Sequence, residues 1–435
     1  MKPLAWLRYI NSLISSRVFV SVSSLASGNI ISSILAFVGG IVQAQYISPN
    51  DLGFIRKFSV ISGYVVFFQL GLVDILQRDY PYLMGRGEED KAKHIVSVCQ
   101  YWSIAISVSF GALFAVMATV LLAAGKWRTA CGWGIQSVSI STMLYTSFLS
   151  ATYRNGHDFK RLATSNVKGQ LANTLILPFF RYASFGALVL RSFVGSVYSA
   201  IYLHRHRPVR VASTFNWPIW RNLVKRGLPL YGVNYLSQAL WISIVMLLVL
   251  RYGGDKFLGL YVFACVLIEA LRTLPLALIQ VYIPRLGYLY GKTGRVTDCL
   301  QDSMRPMLIC LLSSIVLLFL GLAFAPFVIR ALAPKYLDSL PIINILLLLL
   351  IVTSIQVPLF ALSAMMDMKA LYLSTLIGYS VLLSVGYLLL HFGFGAQSFV
   401  WATVAGQLAN TIARWVFVLL HCNRERHLIF SNSDK

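Results

Sequence analysis

The 435-residue sequence predicts an all-α polytopic membrane protein with ~12 transmembrane helices in two pseudo-symmetric six-helix lobes. Three observations predict it. Hydrophobic residues make up 57% of the chain and charged residues only 12%, with a mean hydropathy of +0.71; an ordinary soluble domain carries about 25% charged residues. Apolar runs long enough to span a bilayer alternate with short polar breaks. One set of residues also recurs at a fixed offset, the mark of an internal duplication.

The duplication is clearest around Phe257–Lys292, where Leu258-Gly259 opens an apolar run and Tyr288-Leu289-Tyr290-Gly291-Lys292 closes it. Moving back 206 residues finds Leu52-Gly53 and Tyr82-Leu83-Met84-Gly85-Arg86 in the same places, and Tyr46 in register with Tyr252. A membrane protein made of two similar halves is expected to bind its substrate between them.

In chain order, residues 1–17 place Leu7, Ile10, Leu13 and Ile14 on one helical face, opposite Lys2, Arg8 and Arg17. This suits a helix lying on the membrane surface and lacks the features of a cleavable signal. Residues 18–204 form the first lobe, with spans centred near Ala36, Phe67, Phe110, Met143, Thr174 and Gly195. Pro178, Phe180 and Arg181 carry a tight hairpin turn before the last of these. Residues 205–227 are a basic linker whose Trp217, Trp220 and Leu223 would rest on the membrane while Arg221 and Lys225 face headgroups. Residues 228–422 form the second lobe, centred near Ser243, Leu271, Leu317, Leu350, Gly378 and Leu408, and 423–435 are a tail.

Lysine and arginine set the orientation. With both termini in the cytoplasm, the cytoplasmic segments hold 22 of the 37 cations and the opposite side holds nine. The same asymmetry accounts for the net charge of +22, which in a soluble protein would point to nucleic acid. The six cysteines are scattered, without CxxC or metal-ligand spacing, and read as small buried hydrophobes. His204 and His206 belong to a basic surface loop.

Charges inside spans are costly and mark functional candidates. Asp74, Gln77, Arg78 and Pro81 share one helical face, as do Glu269, Arg272, Thr273, Leu276 and Gln280 on the duplicated helix. Each cluster lines a cavity, pairs internally (Asp74 with Arg78 and Glu269 with Arg272), or does both. Further polar stripes are Asn166, Gln170 and Asn173; Gln136, Met143, Ser147 and Arg154; Asn234 and Gln238; and Gln407, Asn410 and Arg414. One amide alone is explained by an interhelical hydrogen bond. Together the stripes predict a wet cavity.

Arg191, Arg414 and Lys168 have no acid within one helical turn, and Asp79 and Asp367 are expected near cytoplasmic ends. Lys168 and Arg414 can also snorkel to headgroups. Guanidinium groups without an acid on the same stretch of helix suit an anionic cargo bearing phosphate or carboxylate. Arg78, Arg191, Arg272 and Arg414 are therefore the candidate cavity cations. Walker A, GxGxxG, HExxH and GxSxG motifs are absent from the sequence, which offers no constellation for covalent chemistry.

Several turn motifs resemble the polysaccharide-transporter branch, the Wzx-type O-antigen flippases, of the multidrug/oligosaccharidyl-lipid/polysaccharide exporter superfamily. They are Pro49-Asn50-Asp51-Leu52-Gly53-Phe54, Lys225-Arg226-Gly227-Leu228-Pro229-Leu230, Leu258-Gly259-Leu260-Tyr261, Pro284-Arg285-Leu286, and Ala333-Pro334-Lys335-Tyr336 followed by Leu340. The resemblance implies two six-helix lobes that open alternately to either side of a bacterial inner membrane. It implies transfer of an undecaprenyl-diphosphate-linked oligosaccharide without ATP or a bound cofactor, alongside other polysaccharide assembly proteins. Some relatives couple export to protons or sodium, for which Asp74 and Glu269 are the candidates. The alternatives are a proton- or sodium-coupled drug/cation antiporter of the same superfamily and, further off, a membrane-embedded polysaccharide polymerase. An antiporter needs acidic character in its cavity, and a polymerase needs larger outer loops.

Overall fold

The computed structural model describes residues 17–433 apart from 157 and 366, with side chains described outside 17–26, 85, 274, 277–285, 287–288, 291, 363–364 and 426–433. The surface helix expected at 1–17 therefore lies outside the described residues, except for the backbone of Arg17. Among the described residues the secondary structure is helical throughout. The chain divides into two compact units, 1–39 with 61–232 and 40–60 with 233–435.

The first helix, α1 (Arg17–Tyr46), contributes to both units. Ser48 caps the next helix, α2 (Pro49–Val65), by accepting the Asp51 N–H at 3.2 Å, with Pro49 at the first helical position. A 3₁₀ turn, Val66–Gln69, and left-handed Leu70 (φ 52°) and Gly71 (φ 75°) bend the path by 41° into α3 (Leu72–Gly85). The span expected around Phe67 is thus broken at its middle.

In the first unit follow α4 (Glu89–Ala123), α5 (Trp127–Asn155), α6 (Phe159–Thr174) and α7 (Ser184–Arg205). The tight turn expected at Pro178–Arg181 is a 3₁₀ turn over Leu177–Arg181. The hydroxyls of α5 are largely absorbed by helix carbonyls: Ser141 reaches Ser137 O, Thr142 reaches Val138 O and Thr146 reaches Thr142 O. This back-bonding lets a helix rich in Ser and Thr lie in an apolar setting. The unit's core gathers Leu76, Cys99, Phe148, Tyr153, Leu162 and Leu203.

The linker differs from expectation. Its helix, α8 (Trp217–Asn234), runs through a π-helical turn, Tyr235–Leu240, straight into α9 (Trp241–Thr293). Leu223, expected on the membrane, is only 1% exposed and joins the first unit's core, whereas Trp217 is 57% exposed. Packing against the core thus replaced the surface role for this face. Backbone proximity explains the glycine of the Lys225–Leu230 motif. A Cβ on Gly227 would sit 3.0 Å from the Gly71 carbonyl carbon and still closer to its oxygen.

In the second unit α9 breaks at Gly254 (φ 67°), where two helical stretches join across a kink. Beyond it lie α10 (Val296–Leu332), α11 (Leu340–Ile355), short α12 (Phe360–Ala364), α13 (Met368–His391) and α14 (Gln397–Ser433). Within this unit Leu52-Gly53 and Leu258-Gly259 meet. Gly53 abuts Asp255 and Gly259, while Gly259 abuts Pro49 and Gly53. The offset of 206 thus relates the two sides of one helix crossing. Lys57 closes it with an ion pair to Asp255 at 2.9 Å.

Among the described residues eight helices are long and apolar enough to cross a membrane, or nine if the bent pair counts as one span. Helix α10 exposes Leu308, Leu312, Val316, Phe319 and Leu320, spaced about one turn apart. A chain with apolar residues turned outward along whole helices is built for lipid.

Candidate functional site

In the first unit, α1, α6 and α7 share a polar seam. Gly28 lets α1 approach Ala163 of α6, and one step along, Asn166 Nδ2 donates to Asn29 Oδ1 at 3.2 Å. Asn173 Oδ1 accepts the backbone N–H of Gly195 at 2.9 Å, joining α6 to α7. Gln170 is half-buried one turn before Asn173. The Arg191 guanidinium packs against Gly39, where any side chain on α1 would displace it. The three amides and Arg191 are therefore gathered along neighbouring helices. Asn173 spends its carbonyl oxygen on a helix backbone, which is a structural bond. Lys168 lies 5.3 Å from the Tyr202 ring, a cation–π contact that the sequence did not indicate.

Arg78 stands apart from that seam. It is 52% exposed and its ion pair, at 3.3 Å, is with Asp79. Asp79 is buried and also takes Arg226 of α8 at 2.6 Å, tying α3 to α8. Arg154 of α5 reaches Gln77 at 3.2 Å and is near enough to Asp74 for electrostatic interaction. The expected face of Asp74, Gln77 and Arg78 is thus divided between two neighbours.

In the second unit Glu269 and Arg272 pair with each other, one of the two arrangements open in the sequence. Glu269 is 58% exposed, whereas the Arg272 Nε is buried without a hydrogen-bond partner. The Gln280 side chain lies outside the described residues.

Arg414 occupies the more telling position. Its Nε donates to Asn410 Oδ1 at 3.1 Å and approaches Ser374 Oγ at 3.4 Å, and its Nη2 approaches Ser237 Oγ at 3.5 Å. Ser237 also meets Thr375 at 3.2 Å, and Gln356 donates to Thr411 at 2.9 Å. Gln407 is half-buried on the same helix. Every side-chain partner of Arg414 among the described residues is a neutral oxygen; none is a carboxylate.

The π turn sets up this site. A π turn shifts the helix face by one residue and disturbs the carbonyl ladder. Tyr379 donates to the Leu236 carbonyl at 2.6 Å, which holds the widened turn. Ser237 consequently faces Arg414 while Asn234 and Gln238, the expected stripe, are exposed. Asn29, Ser237 and Ser374 were not singled out from the sequence. Ser237 shares the i, i+3, i+4 face of Asn234 and Gln238, so helical spacing could have placed it there, but its contact with Arg414 lies on another helix.

At one end of α13, Asp367 accepts the Ala370 N–H at 3.1 Å and His421 Nε2 at 2.8 Å. Burial alone would push its carboxyl up, but these two partners bring it below the usual carboxylate value. Among the described residues no group of His, Cys, Asp and Glu could hold a metal ion.

No protein-family model and no curated protein matches the chain. Solved structures do. The chain is similar to the inward-facing conformation of a multidrug resistance MATE family transporter of the MOP superfamily, with TM-score 0.73 and 14% identity over 91% of this chain and 96% of that one. The outward-facing conformation of such a transporter gives TM-score 0.68 and 15% identity, covering 95% and 98%. A MOP superfamily transporter from Pyrococcus furiosus, described as having a reverse polarity of binding pocket, gives 0.64 and 15%, covering 94% and 97%. At these identities the likeness establishes the fold, which is that of the MATE transporters.

Proposed function

We propose that the chain is a transporter, not an enzyme, that moves an undecaprenyl-diphosphate-linked oligosaccharide across a bacterial inner membrane by alternating access, with both termini cytoplasmic. The cargo would be a repeat unit of O-antigen, as in lipopolysaccharide, or of another surface polysaccharide. Other polysaccharide assembly proteins would supply and receive it, and the chain would need no cofactor.

Arg414 is the observation that carries this reading. Its guanidinium sits among apolar spans with hydroxyl and amide partners and, among the described residues, no carboxylate. A cation held this way is best matched by an anion brought with the cargo, and its fork suits diphosphate oxygens. Arg78, Arg191 and Arg272 are the further cargo cations, and Asn166, Gln170, Asn173, Gln280, Gln407 and Asn410 are the amides proposed to meet sugar hydroxyls. Asp74 and Glu269 are the groups that would couple export to a proton or sodium gradient.

The drug/cation antiporter is the second reading, favoured by the multidrug transporters among the similar folds. Reverse polarity in the Pyrococcus protein accords with different functions on this fold. Expression in a strain lacking its own flippase decides between them. Export should be restored by the native chain and fall about ten- to a hundred-fold in Arg414→Ala at equal membrane insertion, the range for a lost charge-assisted bond. Organic-cation efflux without restored export would overturn the flippase reading. Product formation by purified protein on lipid-linked sugar would turn it toward a polymerase.

A further inference from the structure

One end of the first unit carries an apolar groove of about 480 Å³ between α5 and α7, lined by Trp127, Cys131, Phe185, Gly186, Val189 and Phe193. Its mouth is basic. Lys126 directly precedes Trp127 at the start of α5, and the Arg128 guanidinium lies 4.9 Å from the centroid of the Phe185 ring. Trp127 meets Phe185 edge-on at 5.6 Å, and exposed Arg181 precedes Phe185 by four residues.

These cations are unusual for their place. Lys126, Arg128 and Arg181 are three of the nine that the sequence assigns to the side poor in Lys and Arg, where cations oppose the preferred topology. In the second unit two others from that side are offset by acids, Lys57 by Asp255 and Lys256 by Asp338. In the first unit the sequence is poorer in acids. Between Asp90 and Asp255 the sequence has one acid, Asp158. It lies beyond the far end of α5, roughly 40 Å along a helix of 29 residues, and pairs with Arg161 at 3.1 Å.

We propose that this groove binds an anionic phospholipid, its chain between α5 and α7 and its phosphate against Lys126 and Arg128. The chain leaves one apolar neighbour for another, so burial contributes little preference within a bilayer. Charge must therefore select the occupant. Each cation is worth about a five-fold preference for an anionic headgroup. The inference is independent of what the protein transports.

Trp127 lies in the groove, so brominated lipid chains provide the test. The full-length protein is placed in nanodiscs with brominated phosphatidylglycerol or brominated phosphatidylcholine, and the Trp127 signal is taken as the difference from Trp127→Phe. Quenching should saturate at a lower fraction of phosphatidylglycerol than of phosphatidylcholine. Arg128→Gln and Lys126→Gln should each weaken that preference about five-fold. Gly186→Leu should abolish the saturable part in a folded protein, because a Cβ there meets nothing nearer than Ala183 at 3.7 Å. Equal curves for the two lipids, or a phosphatidylglycerol curve unchanged by both Arg128→Gln and Gly186→Leu, would overturn the proposal and leave ordinary annular lipid.

Discussion

The crossing of Gly53 with Gly259 allows the duplication to be tested as a packing constraint. A Cβ on Gly259 would be built into the Pro49 carbonyl oxygen, 2.7 Å from its carbon and 3.0 Å from the Gly53 nitrogen. On Gly53 it would enter the Asp255 carbonyl oxygen, 2.6 Å from its carbon and 2.8 Å from the Gly259 nitrogen. Carbon contacts settle at about 3.5–4.0 Å, and backbone cannot rotate aside as a side chain can, so the helices must part by roughly 1 Å. Overpacking of this kind costs about 1–3 kcal/mol, against a gain of roughly 0.5–1 kcal/mol for replacing a helical glycine by alanine. The expected net loss for Gly53→Ala or Gly259→Ala is about 1–2 kcal/mol. The double variant should lose less than the sum, by about 1 kcal/mol, because the second methyl enters a gap already opened. Gly134→Ala is the control, since nothing lies within 4 Å of its added Cβ, and it should be neutral or slightly stabilising. Thermal unfolding of the four variants in one detergent measures the order. If Gly53→Ala and Gly259→Ala melt with Gly134→Ala, or if their losses simply add, the close crossing is not what holds these helices.

Three further outcomes follow from other contacts. Asp79→Ala should lower stability by about 1–3 kcal/mol, less than for a fully buried pair because Arg78 and Arg226 keep contact with solvent, and thermal unfolding measures it. Asp367 has a carboxyl held below the usual value of about 3.9, so its stabilising share is complete above that pH and is lost as pH falls through the lowered value. A melting-temperature profile should therefore drop below about pH 4 in the native protein, with a smaller drop in Asp367→Asn. Tyr379→Phe removes the donor to Leu236 O and should cost about 1 kcal/mol; if the π turn holds the cargo site, export should fall with it.

The resemblance to known turn motifs has a physical basis in close backbone approaches. Gly227 is required where α8 meets Gly71, and Gly53 and Gly259 where two helices touch. These glycines were legible because they stand at fixed places in apolar sequence. Pairing was less legible. Glu269 and Arg272 join as helical spacing allows, but Arg78 turns to Asp79, and Asp79 reaches Arg226, 147 positions away. Spacing on one helix describes neighbours on its own surface and is silent about a second helix packed across it.

The amino-acid order by itself determined that this chain is helical, membrane-embedded and duplicated, because the hydropathy of successive runs and a repeated set of Gly and Tyr are properties of the one-dimensional chain. Tertiary structure alone decided that α8 continues through a π turn into α9, and that Ser237, rather than Asn234 or Gln238, reaches Arg414. A π turn displaces every later side chain around the helix axis, and a tyrosine distant in sequence, on another helix, donates to its Leu236 carbonyl. No local period carries that contact, so it exists only once the helices have packed.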